Sequence, residues 1–167
     1  MLDALRVSLI PAPRTIERYM GDVARLSVQR IPVDPRANFN VAGVYSFGRG
    51  LIDRGVADGS ATKYSHLHRL TEGVLVVSKL KAWEGAVAVA TAEHEGALVS
   101  PEYPTFELDR AKVLPAFIDQ LCRCPWFWHE IQGLCKGTAD RRARIHPDDF
   151  LKIPIPAFPL SHQETIV

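Results

Sequence analysis

An α+β fold, a twisted and mostly antiparallel sheet over about residues 22–108 with a C-terminal helical layer over about 112–136, is predicted by three observations. The run Val74-Leu75-Val76-Val77, a polar turn ending in Gly85, and the alternation Ala86-Val87-Ala88-Val89-Ala90 have the pattern of a β-hairpin. Beyond Phe106 the apolar period changes from two to helical, with Leu114, Phe117, Ile118, Leu121 and Cys122 on one stripe. Size and composition are the third: 167 residues, 47% hydrophobic and 23% charged, suit one domain with a single core.

The same composition limits the function classes. Net charge is +1, so any polyanion site must come from local gathering of cations rather than from bulk basicity. No apolar run approaches the roughly 20 residues of a membrane-spanning helix. The start, Met1-Leu2-Asp3-Ala4-Leu5-Arg6, has an early acid and no long apolar stretch, unlike a secretory signal. Three cysteines, an odd number, point to reduced thiols and a cytoplasmic location.

Residues 1–20 read as an N-terminal extension broken by Pro11 and Pro13, with a short helix over 15–20 ending at Gly21. Residues 22–29 read as a helical turn passing into a strand, and Pro32 and Pro35 then force an extended link. Val41-Ala42-Gly43-Val44 is a strand that leads into Tyr45-Ser46-Phe47-Gly48-Arg49-Gly50. Glycines on both sides of Arg49 permit positive φ and close backbone approach to a partner, although a plain tight turn is the simpler reading. The spacing does not fit a methyltransferase glycine motif, and no Asn-Pro-Pro-aromatic or Asp-Pro-Pro-aromatic motif follows.

Tyr64 to Leu70 alternates like a half-buried strand and puts His66 and His68 on one face. With no acidic or sulfur partner at a fitting interval, a solvated strand face is expected there rather than a metal site. In the hairpin, the first strand is apolar on both faces and therefore central. Ala86, Ala88 and Ala90 give the second strand a small face suited to close packing, and the tip carries Lys79, Lys81 and Trp83. After a turn at 93–96, Leu98-Val99 leads on to Phe106.

A second helix opens at Pro125, with Trp126, Phe127, Ile131, Leu134 and Cys135 apolar and Gly137 closing it. Cys122, Cys124, His129 and Cys135 lack a Cys-x-x-Cys knuckle and read as core thiols rather than as a zinc set. The polar stretch 136–145 clusters Arg141, Arg142 and Arg144, either a solvated loop or one shaped for phosphates and guanine edges. Residues 148–151 form a helical turn and 153–156 an extended edge that tolerates proline. Finally, Ser161-His162-Gln163-Glu164 has the form of a capping box, and the chain looks cut where a longer helix would begin.

Four segments carry a family resemblance. Gly43-Val44-Tyr45-Ser46-Phe47-Gly48-Arg49-Gly50-Leu51 resembles the "GVYSFGRGLF"-like segment of target recognition domains in type I restriction–modification specificity (S) subunits. Ser78-Lys79-Leu80-Lys81-Ala82-Trp83-Glu84-Gly85-Ala86 is similar to their "SKLKAWEGAF", and Val99-Ser100-Pro101-Glu102-Tyr103-Pro104-Thr105-Phe106 to their "VSPEFPTF". The tail from Phe150 to Pro156, with Gln163 to Val167, resembles "FLxIPIPLPPLxEQxxIV"; residues 157–162 depart from it. The four occur in order over about residues 21–167.

The resemblance implies a non-catalytic, sequence-specific reader of double-stranded DNA. It divides the chain into an extension (1–20), a recognition domain (21–160) and the start of a truncated spacer helix (161–167). It implies a methyltransferase subunit, a restriction subunit, and a second recognition domain or second chain as partners, with no cofactor and no metal. Basic residues on loops of a rigid platform then nominate Arg49, Lys79, Lys81, Arg141, Arg142 and Arg144 for DNA contact, with Ser46 and Thr138 as hydrogen-bonding partners. Trp83 is expected to support the lysine loop from beneath, with direct DNA contact as the alternative. Two other classes stay open. One is a metal-dependent nuclease using His66, His68, His94 or Glu95, although no paired acidic motif is present. The other is a protein-interaction module of the same fold that no longer binds DNA.

Overall fold

A computed structural model describes residues 10–137 and 143–167. Among the described residues, nine short strands run from β1 (Ala24–Leu26) through β2 (Gln29–Pro32), β3 (Asn38–Val44), β4 (Leu51–Asp58) and β5 (His66–Arg69). They continue as β6 (Leu75–Val77), β7 (Val87–Val89), β8 (Leu98–Val99) and β9 (Thr105–Leu108). Helices α1 (Pro115–Cys122), α2 (Pro125–Leu134), α3 (Pro147–Phe150) and α4 (Leu160–Ile166) follow. The α+β class holds.

The expected single sheet is in fact two. One has the order β1-β9-β6-β7 and the other β2-β5-β8-β3-β4. All neighbours pair antiparallel except β3 with β8. The division follows from the hairpin's two unlike faces. Val76, Ala86, Ala88 and Ala90 point to one side, and their small volume lets Ala42, Val44, Leu70 and Val99 of the second sheet close on them. Leu75, Val77, Val87 and Val89 point to the other side and meet Phe117, Ile118, Leu121, Phe127 and Ile131 of the helices. The four-stranded sheet is thus covered on both faces, and Leu75, Val76 and Val77 are fully buried. Phe106 anchors the helical side against Phe150, their ring centroids 5.1 Å apart.

Three local expectations change. Residues 15–20 form no helix. The Met20 and Gly21 N–H groups donate to the Ile153 and Leu151 carbonyls at 2.8 Å, and Tyr19 bridges Pro154, so long-range pairing takes donors that a helix would use. A 3-10 turn, Met20–Asp22, follows instead. Helix α2 stops at Leu134 rather than at Gly137, because Lys136 pairs with Arg144 as an isolated antiparallel bridge. Helix α4 is capped at Pro159 and not at Ser161. The Gln163 side chain, between the two expected capping-box residues, is fully buried. Its Oε1 accepts from Leu114 N–H at 2.9 Å, and its Nε2 donates to the Lys112 and Phe158 carbonyls at 3.0 and 2.8 Å.

Candidate nucleic-acid interface

The β6–β7 hairpin ends in a loop that folds back on itself. Ser78 N–H donates to the Ala86 carbonyl at 3.0 Å, and the Ser78 hydroxyl accepts from Lys81 N–H at 3.2 Å. A 3-10 turn, Ala82–Glu84, then leads into Gly85 at φ 76°. A side chain at Gly85 would strike the Trp128 ring, whose Cε2 lies 2.6 Å from an ideal Cβ. Glycine is therefore required twice over, by the left-handed backbone and by the indole packed on it.

The β3–β4 turn docks on this loop. Phe47 N–H donates to the Glu84 carbonyl at 2.7 Å, and Gly48 N–H to the Gly85 carbonyl at 3.0 Å. Phe47 stands at φ 64°, a strained value for an aromatic residue, and its ring meets Trp128 edge-on at 6.0 Å. Gly48, at φ 61°, lies so close to the end of α1 that a Cβ would stand 2.6 Å from Arg123 Cα. The close backbone approach anticipated for this turn is made to the protein's own helix. Its purpose is to fix residues 45–50 on the hairpin tip.

The side chains that project from these two loops form one connected group. The Arg49 guanidinium lies 4.6 Å from the centre of the Tyr45 ring and donates through Nε to the Ser46 carbonyl at 3.1 Å. The Ser46 hydroxyl donates to Glu84 Oε2 at 3.0 Å, and Glu84 Oε1 accepts from Lys81 Nζ at 3.2 Å. Lys81 Nζ also lies 5.4 Å from the Trp83 ring centre, and Trp83 Nε1 donates to the Leu80 carbonyl at 3.0 Å. Trp83 is half-buried, and its bond to Leu80 ties the indole to the loop's own backbone.

On the other side of the same loop, Lys79 N–H donates to the Glu102 carbonyl at 2.9 Å, and the Lys79 carbonyl accepts from Ile145 N–H at 3.1 Å. That brings in Arg144, whose Nη1 donates to Glu102 Oε2 at 2.9 Å. Arg49, Ser46, Lys79, Lys81, Trp83 and Arg144 are therefore assembled around one hairpin tip. Thr138, Arg141 and Arg142 lie outside the described residues.

Sequence reasoning missed three members of this group. Glu84 and Glu102 were in view only as letters of the motifs. Arg30 is the third: it stands opposite His68 in the β2–β5 ladder, and His68 Nδ1 contacts the Tyr103 carbonyl at 3.0 Å, next to Glu102. Arg30 is exposed and makes no ion pair among the described residues. Burial, aided by the charges of Lys79 and Arg30, holds the His68 pKa below its usual value despite the bond to Tyr103.

Three solved structures resemble this chain in fold. The HsdS subunit from Thermoanaerobacter tengcongensis superposes with a TM-score of 0.71 at 17% identity over 88% of this chain. A chain from a structure described as underlying complex assembly and conformational transition of the type I R-M system gives 0.70 at 17% over 92%. The type I restriction–modification S subunit from M. genitalium gives 0.56 at 16% over 93%. The fold is the one seen in type I S subunits. The chain spans 38%, 42% and 38% of those three chains, well under half of each. No protein-family model and no curated protein sequence matches it.

Within the S-subunit fold the alternative sites disperse. His68 is buried and not on a solvated face, its ring lying against the Tyr103 carbonyl. His66 Nδ1 contacts Ser65 Oγ at 3.0 Å, His94 Nδ1 contacts Thr91 Oγ1 at 2.8 Å, and Glu95 Oε2 accepts from Glu72 N–H at 2.6 Å. Among the described residues no group of three or more His, Cys, Asp or Glu could hold a metal ion. Cys122 and Cys124 are buried while His129 is exposed, so the zinc set does not converge. Burial raises the Cys122 and Cys135 pKa and pushes Cys124 up to about 11, so these thiols stay protonated as core residues. Among the described residues, no helix is long and apolar enough to cross a membrane.

Proposed function

We propose that residues 21–160 are a target recognition domain of a type I restriction–modification S subunit, which reads one half of a bipartite double-stranded DNA target without catalysis of its own. The observation that carries the reading is the assembly of Arg49, Lys79, Lys81 and Arg144 around one hydrogen-bonded hairpin tip, on a sheet packed on both faces. A neutral protein needs such local gathering, since affinity for duplex DNA comes largely from cations that neutralise phosphates. Arg30 extends the group, and Arg141 and Arg142 join it on the sequence argument alone. Arginine at Arg49 has the fork geometry for guanine O6 and N7, whereas Lys79 and Lys81 suit phosphate.

Helix α4, fixed by Gln163, is the start of the spacer that would carry the chain to a second recognition domain or second chain and to the methyltransferase and restriction subunits. Selection from a random duplex pool tests the reading. Enrichment of one short half-site is expected; recovery of unenriched sequence at low and moderate salt would leave a protein-interaction module of the same fold.

A further inference from the structure

We infer that Glu84 and Glu102 are specificity-setting members of the same rim: they hold Lys81 and Arg144 from behind and so limit its grip on DNA of the wrong sequence. The inference rests on the DNA-reading proposal above. In each pair the cation stands outermost. The Lys81 and Arg144 side chains are 53% and 52% exposed, against 22% and 27% for Glu84 and Glu102.

Both glutamates are also tied to the loops through their backbones. The Glu84 carbonyl receives Phe47 N–H and the Glu102 carbonyl receives Lys79 N–H, so the backbone that carries each carboxylate is held at the rim. Pairs this exposed add little to stability, so stability does not account for two carboxylates in a rim that must meet a polyanion. Their effect on DNA does. A sequence-independent complex is held by the phosphate term alone, which scales with the uncompensated cations. Two negative charges behind Lys81 and Arg144 reduce that term, while contacts to base edges are untouched. The ratio of correct to incorrect sites rises as a result.

The test compares the wild type with Glu84→Gln, Glu102→Gln and the double variant on a random-sequence duplex and on the duplex selected from the pool, over a range of salt. Glutamine keeps the acceptor for Ser46 or Arg144 and removes only the charge. Each substitution should tighten random-duplex binding about threefold, the Coulomb effect of one charge roughly 7 Å from a phosphate in water. The double variant should show a steeper salt slope and a smaller selected-to-random ratio. Unchanged or weaker random-duplex binding by variants that melt like the wild type overturns the inference and leaves DNA reading intact. Failure of the wild type to prefer any duplex overturns DNA reading itself, and this inference with it. If Glu84→Gln does not fold, Glu102→Gln alone carries the same comparison.

Discussion

His68 is buried in β5 and held neutral by desolvation, with the charges of Lys79 and Arg30 acting in the same sense and the Tyr103 bond against them. Its folded pKa lies below the unfolded value of 6.5, so protons bind more readily to the unfolded chain. Its contribution is therefore full above pH 6.5 and lost as pH falls through the lower folded value. Urea midpoints should decline on acidification from pH 7, and His68→Gln should flatten that decline. Asp149 has the same sign in a lower window. Lys136 and Lys152, each 2.8 Å from its carboxylate, hold its pKa at about 2, so its ion pairs persist above the unfolded value of 3.8 and are lost as pH falls towards 2. At the rim, Arg49→Ala should weaken binding and lower the salt slope by about one if Arg49 meets a phosphate. An unchanged slope, with relaxed choice at one base pair, would place it on a base edge instead.

At the scale of elements, the hairpin tip, the β3–β4 turn and α4 are each secured by a few contacts. Gly85→Ala forces a Cβ onto the Trp128 ring at φ 76°, and we expect a cost of about 2 kcal/mol or more in denaturant unfolding. Gln163→Ala leaves one N–H and two carbonyls without their partner, and about 2–4 kcal/mol is expected from the loss of a buried hydrogen-bonded hub. The hairpin, the Ala and Val faces of β7 and the apolar stripe of α1 were legible because each depends on a period of two or 3.6 within one short segment. The start of α4 was not. Ser161-x-x-Glu164 satisfies the capping-box pattern, but a tertiary demand for Gln163 on the turn before α1 decides how the helix sits.

For the whole molecule, what escaped the sequence was long-range pairing. Strands of two to four residues, such as β1 with β9 and β2 with β5, take partners far along the chain, and no local pattern says which. The two-sheet division, the burial of His68 and the placement of Arg30 beside His68 all follow from those pairings. The rim itself was half legible: the motifs marked Arg49, Lys79 and Lys81 and the arginine cluster marked Arg144, while Glu84 and Glu102 gain meaning only from the contacts that surround them. The central claim is that a chain of net charge +1 grips a duplex through cations gathered at this one tip. Its most direct test is the salt dependence of duplex binding by the wild type and by a variant with Arg49, Lys79 and Lys81 all changed to alanine. The account predicts a slope lower by about two to three in the variant, at unchanged melting temperature, since each phosphate contact contributes roughly 0.9. An equal slope and affinity in the two proteins would contradict it.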